Sequence, residues 1–66
     1  MLPTIREVLK KRDGYDDKTI DNMLREFNEE LAFYIEAGDL EGCEYLLQDH
    51  FGLEPDFLFI DPEINI

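Results

Sequence analysis

DDKTIDNMLREFNEELAFYIEAG, residues 16 to 38, decides how this chain folds. Within it Ile20, Met23, Leu24, Phe27, Leu31, Tyr34 and Ile35 recur at steps of three and four. That spacing lines one face of a helix over about four turns. Asp21, Arg25, Glu29 and Glu36 fall on the complement. Asp16 stands where an N-cap belongs, and Asp17 follows in the first turn, where the helix dipole favours negative charge. Tyr15 and Ile20 occupy the two positions of a hydrophobic staple. Gly38 closes the pattern, so the spacing predicts a helix over 17–37.

Working outward, T-I-R-E at residues 4 to 7 reads as a capping box, with Thr4 as N-cap and Glu7 three residues on. Ile5, Val8 and Leu9 repeat the helical spacing until Gly14, which predicts a helix over 5–12. On the other side Asp39 caps a new helix directly after Gly38, and so short a link forces a sharp corner. Leu40, Cys43, Leu47 and Phe51 give its stripe, widened by Leu46, over 40–51. Gly42 inside that helix costs about 1 kcal/mol against alanine and marks a close helix crossing. Gly52 ends it, and Leu53 is placed to fold back over the last turn. Pro55 and Asp56 suit the start of a short helix over 55–60, which Asp61-Pro62 breaks. Residues 61–66 read as a frayed tail.

The expected fold is therefore all-α: a three-helix bundle with a long second helix and a short C-terminal fourth helix as a lid. It forms one domain over 1–66, without strand pattern, repeat or linker. Its expected core is Ile5, Val8, Leu9, Ile20, Leu24, Phe27, Leu31, Leu47 and Phe51.

Composition narrows the function. A chain of 66 residues buries only roughly 60% of the surface its unfolded form exposes, and such domains usually need a staple or regular helix packing. Cys43 is the single cysteine and His50 the single histidine. No disulfide can close within the chain, and a zinc site of about four N/S ligands cannot be built from two. No metal or cofactor is expected. The longest apolar run is Phe57 to Ile60, far short of the about 20 residues that span a bilayer. With no signal pattern and a lone thiol, a cytoplasmic setting is expected, without membrane attachment.

The net charge of −11 is unevenly placed. Residues 1–12 hold Arg6, Lys10, Lys11 and Arg12 against Glu7, a net of +3. Residues 13–66 hold Lys18 and Arg25 against sixteen acids, a net of −14. Either the first helix packs against the acidic ones and gains from their field, or it is a basic contact surface for an acidic partner. Two helices joined by a short turn evoke DNA binding. Here the helix that would enter the groove carries Asp16, Asp17, Asp21, Glu26, Glu29, Glu30 and Glu36, which phosphates repel. Direct nucleic-acid binding is not expected.

Nothing in the chain spells catalysis. His50 sits near the end of the third helix, where a cation favours the dipole. Cys43 lies on the apolar stripe and reads as a small core residue. There is no glycine-rich phosphate loop. Asp13, Asp16, Asp17 and Asp21 cluster, but Tyr15 takes the first required calcium-ligand position after Asp13, and Lys18 and Thr19 break the rest. Solvated helix caps are the simpler reading.

Two resemblances attach to particular stretches. TIREVLKKRDGY, GDLEGCEYLLQD and FGLEPDFL together cover most of the chain. They resemble small acidic proteins of unassigned function from bacteria and their mobile elements. Some proteins of that source inhibit host systems, certain of them by resembling DNA. Gly14-Tyr15 and Leu46-Leu47 are similar to the loop and the third-helix leucine pair of ubiquitin-associated three-helix domains. The second helix of those domains is short, whereas the one here runs about 18 residues, roughly 27 Å, so no binding role is carried over.

The expected function is that of a non-enzymatic protein-interaction module or small homo-oligomer with a strongly acidic surface. The chain holds more large apolar residues than one small core accepts. Phe33 and Tyr34 on the second helix, with Phe57, Leu58, Phe59 and Ile60 at the C-terminal end, are the candidate interface. The stripe around Leu31, Tyr34 and Ile35 outruns its neighbours, and Phe57 to Ile60 would cover it in cis or, in a dimer, in trans. Asp21, Glu26, Glu29, Glu30 and Glu36 form the candidate acidic face, suited to a basic protein partner. The alternative is an acidic decoy that occupies a partner's basic nucleic-acid-binding surface.

Overall fold

Each aspartate or threonine read as a cap takes the hydrogen bond its position calls for. The Glu7 N–H donates to Thr4 Oγ1 at 3.2 Å, the Thr19 N–H to Asp16 Oδ1 at 2.9 Å and the Gly42 N–H to Asp39 Oδ1 at 2.9 Å. These bonds satisfy N–H groups that no helix can pair within itself. They fix the starts of α1 (Ile5–Val8), α2 (Asp17–Glu36) and α3 (Leu40–Phe51); α4 is the short Phe57–Ile60. The computed structural model describes residues 3–64, and those residues are all-α.

α1 does not run on as a regular helix. It widens into a π-helical turn over Leu9–Asp13, closed at Gly14 with φ 71°. The widened ring is tied by the Tyr15 N–H donating to Leu9 O and the Gly14 N–H donating to Lys10 O. α4 also begins later than expected. Phe57, Leu58 and Phe59 donate three residues back, to Glu54, Pro55 and Asp56. Pro55 and Asp56 therefore belong to a tight turn that leads into one α-helical turn.

α2 is the axis of the molecule. Twenty residues at 1.5 Å each make about 30 Å, against a longest dimension of 33 Å. α3 folds back along it through Gly38, whose φ of 69° lies where a side chain is strained. The two helices meet closely at Gly42. A Cβ there would stand 2.8 Å from Tyr34 Cε1 and 2.6 Å from Asp39 Oδ2, inside van der Waals contact. The expected close crossing is thus real, and Tyr34 is what crosses.

The core is a single cluster. Ile5, Leu9, Ile20, Leu24, Phe27, Leu31, Leu47 and Phe51 are buried as expected, joined by Cys43, Leu46, Phe57, Leu58 and Ile64. Val8 is only partly buried against it.

Residues 61–64 are packed, which corrects the expectation of a frayed tail. Asp61 is 5% exposed, and its Oδ2 accepts the buried Ile5 N–H at 2.6 Å. Its Oδ1 accepts the Glu63 N–H at 2.9 Å. Asn28 Nδ2 donates to Glu63 O at 2.9 Å, and Ile64 enters the core. Asp61-Pro62 does stop α4, but the chain then crosses α1 and α2 as a strap. Residues 65 and 66, the rest of the expected tail, lie outside the described residues.

Candidate functional site

The basic first helix is engaged within the chain. Arg6 reaches three acids: Asp17 Oδ1 at 2.9 Å, Asp21, and Glu63 through Nε at 3.2 Å and Nη2 at 2.8 Å. The Glu63 carboxylate, then Asp21 and Asp17, push the Arg6 guanidinium above its ordinary range. Lys10 Nζ lies 2.8 Å from the same Asp17 oxygen. Lys10 and Arg6 together hold the Asp17 carboxyl below the usual carboxylate range. Arg12 pairs with Asp13 at 2.8 Å. Arg6 and Lys10 thus pack against acidic neighbours, as the simpler of the two sequence readings has it, while Lys11 stays exposed.

Asp21, of the candidate acidic face, is paired with Arg6 although its side chain stays 63% exposed. Glu26, Glu29, Glu30 and Glu36 remain exposed on α2. Phe33 sits among them, 73% exposed. Glu29, Glu30 and Glu36 are its neighbours at three and four residues, and Glu26 lies one further turn back. Glu30 is partly engaged, with its Oε2 2.6 Å from His50 Nε2. The carboxylates of Glu26, Glu29 and Glu36 make no hydrogen bond or ion pair among the described residues.

The candidate interface splits into two sets. Phe57 and Leu58 are 5% and 1% exposed and fill the core of their own chain, so they are not available to a partner. Tyr34 is half-buried against Gly42. Phe59 and Ile60 are exposed at 61% and 53%, and with Phe33 they are the members of that set open to solvent. Sequence reasoning had no means to divide Phe57-Leu58 from Phe59-Ile60. Four consecutive apolar residues carry no periodicity.

One surface feature was missed. Glu41, Glu44, Tyr45 and Gln48 fall at steps of three and four on α3, facing away from its core stripe. The turn Gly52 to Pro55 folds beside them, and the two walls enclose an open groove of about 470 Å³. Tyr45 is 68% exposed on it. The signal was present in the sequence as a second stripe on α3. It carried no weight there because its facing wall, the turn at Gly52 to Pro55, has no period that brings it beside α3.

The residues weighed for catalysis have structural positions. Burial pushes the Cys43 thiol up, and the Asp39 carboxylate adds to the effect; a thiol so held is a poor nucleophile. The His50 ring stands edge-on to Phe27 at 5.7 Å. Of the clustered aspartates, Asp13 pairs with Arg12, Asp16 caps α2, and Asp17 and Asp21 hold Arg6. The Thr19 bonds hold Asp16 below the usual carboxylate range. Among the described residues, no helix is long and apolar enough to cross a membrane.

The fold and surface define a small all-α domain with an acidic, aromatic-studded exterior. No family model matches the chain, and no curated protein or solved structure matches it.

Proposed function

We propose that this protein is a non-enzymatic interaction module whose partner is a basic protein. One observation carries the reading. The internal ion pairs take up Arg6, Lys10 and Arg12 and leave Glu26, Glu29, Glu36, Glu41, Glu44 and Glu54 without a partner among the described residues. Those free carboxylates surround exposed aromatic side chains, Phe33 and Tyr45. Aromatic anchors bounded by polar groups are the pattern of energetically important interface residues. Complementary charge steers the encounter and suppresses wrong partners.

Capture of proteins on the immobilised chain at rising salt tests the reading. The partners retained should be basic, should be released as salt screens the contact, and should bind less to a Phe33→Ser variant. A captured set without basic bias, or one insensitive to both salt and Phe33→Ser, would defeat it.

The second reading is an acidic decoy for a nucleic-acid-binding groove. It draws on the run of free carboxylates along α2. Glu26, Glu29 and Glu36 span about 15 Å of helix, or roughly one charge per 5 Å, against one per about 1.7 Å in duplex DNA. That density is about a third of what a duplex offers, which favours the general basic partner. Addition of duplex DNA separates the two: a decoy's partner exchanges onto DNA, and an ordinary partner stays bound.

A further inference from the structure

We propose that the groove between α3 and the Gly52–Pro55 turn is the docking site for an extended basic segment of that partner, one carrying arginine or lysine. The inference rests on the interaction-module reading above and names one part of the surface, apart from Phe33, where the partner is held.

The groove combines three features that a cationic side chain requires together. Glu41, Glu44 and Glu54 line it, and none of their carboxylates makes a hydrogen bond or ion pair among the described residues. Tyr45 presents its ring to the same space, 68% exposed, and a guanidinium or ammonium is attracted to the face of such a ring. Leu53 and Pro55 form the facing apolar wall. Long basic side chains bury their methylene stems along apolar surface while the charged head stays at the rim. A stem along Leu53 and Pro55 delivers its head between Tyr45 and the glutamates.

No lysine or arginine of the chain lines this groove, although the Arg12 guanidinium lies next to Gly52 at its edge. Arg6, Lys10 and Arg12 are committed to Asp17, Asp21, Glu63 and Asp13, none of which lines the groove. A second copy is a poor occupant, because two chains of net charge −11 repel each other. The complementary charge must come from another molecule. The α2 face around Phe33 offers similar carboxylates on a single helix, so it holds a charge less specifically.

The test uses the full chain and the acetylated, amidated hexapeptide ARAKAR, with AQAQAQ as neutral control, in a ¹⁵N-amide NMR titration. The expected result is a saturable shift pattern centred on Tyr45, Gln48, Leu53 and Glu54 with ARAKAR and none with AQAQAQ. Glu41→Gln with Glu44→Gln should weaken binding by about tenfold or more, as loss of charge-assisted hydrogen bonds does. Tyr45→Ala should weaken it about two- to fivefold. The pair Glu26→Gln with Glu29→Gln removes the same charge from α2 and should leave affinity within about twofold. These groove positions lie on the outer surface, and preserved helical circular dichroism confirms that each variant is folded. Equal weakening by both glutamate pairs, or shifts centred on α2, would overturn the groove while leaving a basic partner in place. No shift at millimolar ARAKAR would overturn both.

Discussion

Asp61 offers one carboxylate oxygen to the Ile5 N–H and the other to the Glu63 N–H. The first bond is buried and joins residues 56 apart in sequence. It places a negative group at the start of α1, where Thr4 already caps a neighbouring N–H, so the helix receives a local cap and a distant one. Asp61→Ala leaves the Ile5 donor unpaired out of water. Unpaired buried donors cost about 1–3 kcal/mol, and chemical denaturation should show a loss of that size. Asp61→Asn keeps an acceptor and should lose less; equal stability of Asp61→Ala and the parent would show that the bond contributes nothing. This residue also marks a limit of sequence reading. Asp61-Pro62 was legible as a helix stop, because both residues act locally. Its partner was not, because no spacing rule connects residues 5 and 61. Ile64 was lost for a related reason: alone among polar neighbours, it shows no period.

At the level of elements, helices and caps were legible where side chains carry a period and faded where they do not. α2 and α3 begin at their expected residues and end within one of the expected ends. The π-helical turn fell in Lys10-Lys11-Arg12-Asp13, where no apolar residue after Leu9 registers the change from 3.6 residues per turn. The candidate interface was half legible, since exposure of Phe33 follows from its place off the α2 stripe. The α3 groove needed the turn beside it. Gly42 gives the sharpest element-level prediction. Gly42→Ala gains about 1 kcal/mol of helix propensity, yet its new methyl group meets the Tyr34 ring and the Asp39 carboxylate. Tyr34 is packed against the core and cannot simply swing away. Overpacking costs about 1–3 kcal/mol, so Gly42→Ala should lower the melting temperature. Tyr34→Ala in the same chain should relieve the clash, making the double variant more stable than the sum of single losses. A stabilised Gly42→Ala would mean that α2 and α3 cross less closely than at Tyr34.

For the molecule as a whole, charge and apolar surface set opposing demands. Sodium chloride screens charges within a Debye length of about 10 Å at 0.1 M, so it weakens both the repulsion of a −11 chain and the attraction in the Arg6 cluster. The repulsion involves far more groups, and exposed ion pairs contribute only about 0–1 kcal/mol; the melting temperature should rise with salt. A fall would show that the Arg6 cluster outweighs the excess acid. Oligomeric state turns on the other demand. Self-association was expected because the α2 stripe outruns its neighbours. In the folded chain Leu31 is fully buried, and Phe57, Leu58 and Ile64 join the same core in cis. Phe59 and Ile60 remain as exposed apolar neighbours on α4. Ile35 and Leu40, at the corner of α2 and α3, are 40% and 50% exposed. Stable interfaces bury about 1,200–2,000 Å² in total, more than these few side chains per copy supply, and the acidic surfaces of two copies repel. Sedimentation equilibrium at micromolar concentration should therefore give one species of 7.8 kDa, unchanged by Phe59→Asp. A species of twice that mass that Phe59→Asp returns to monomer would instead assign Phe59 and Ile60 to a symmetric contact. The basic partner would then have to bind a dimer.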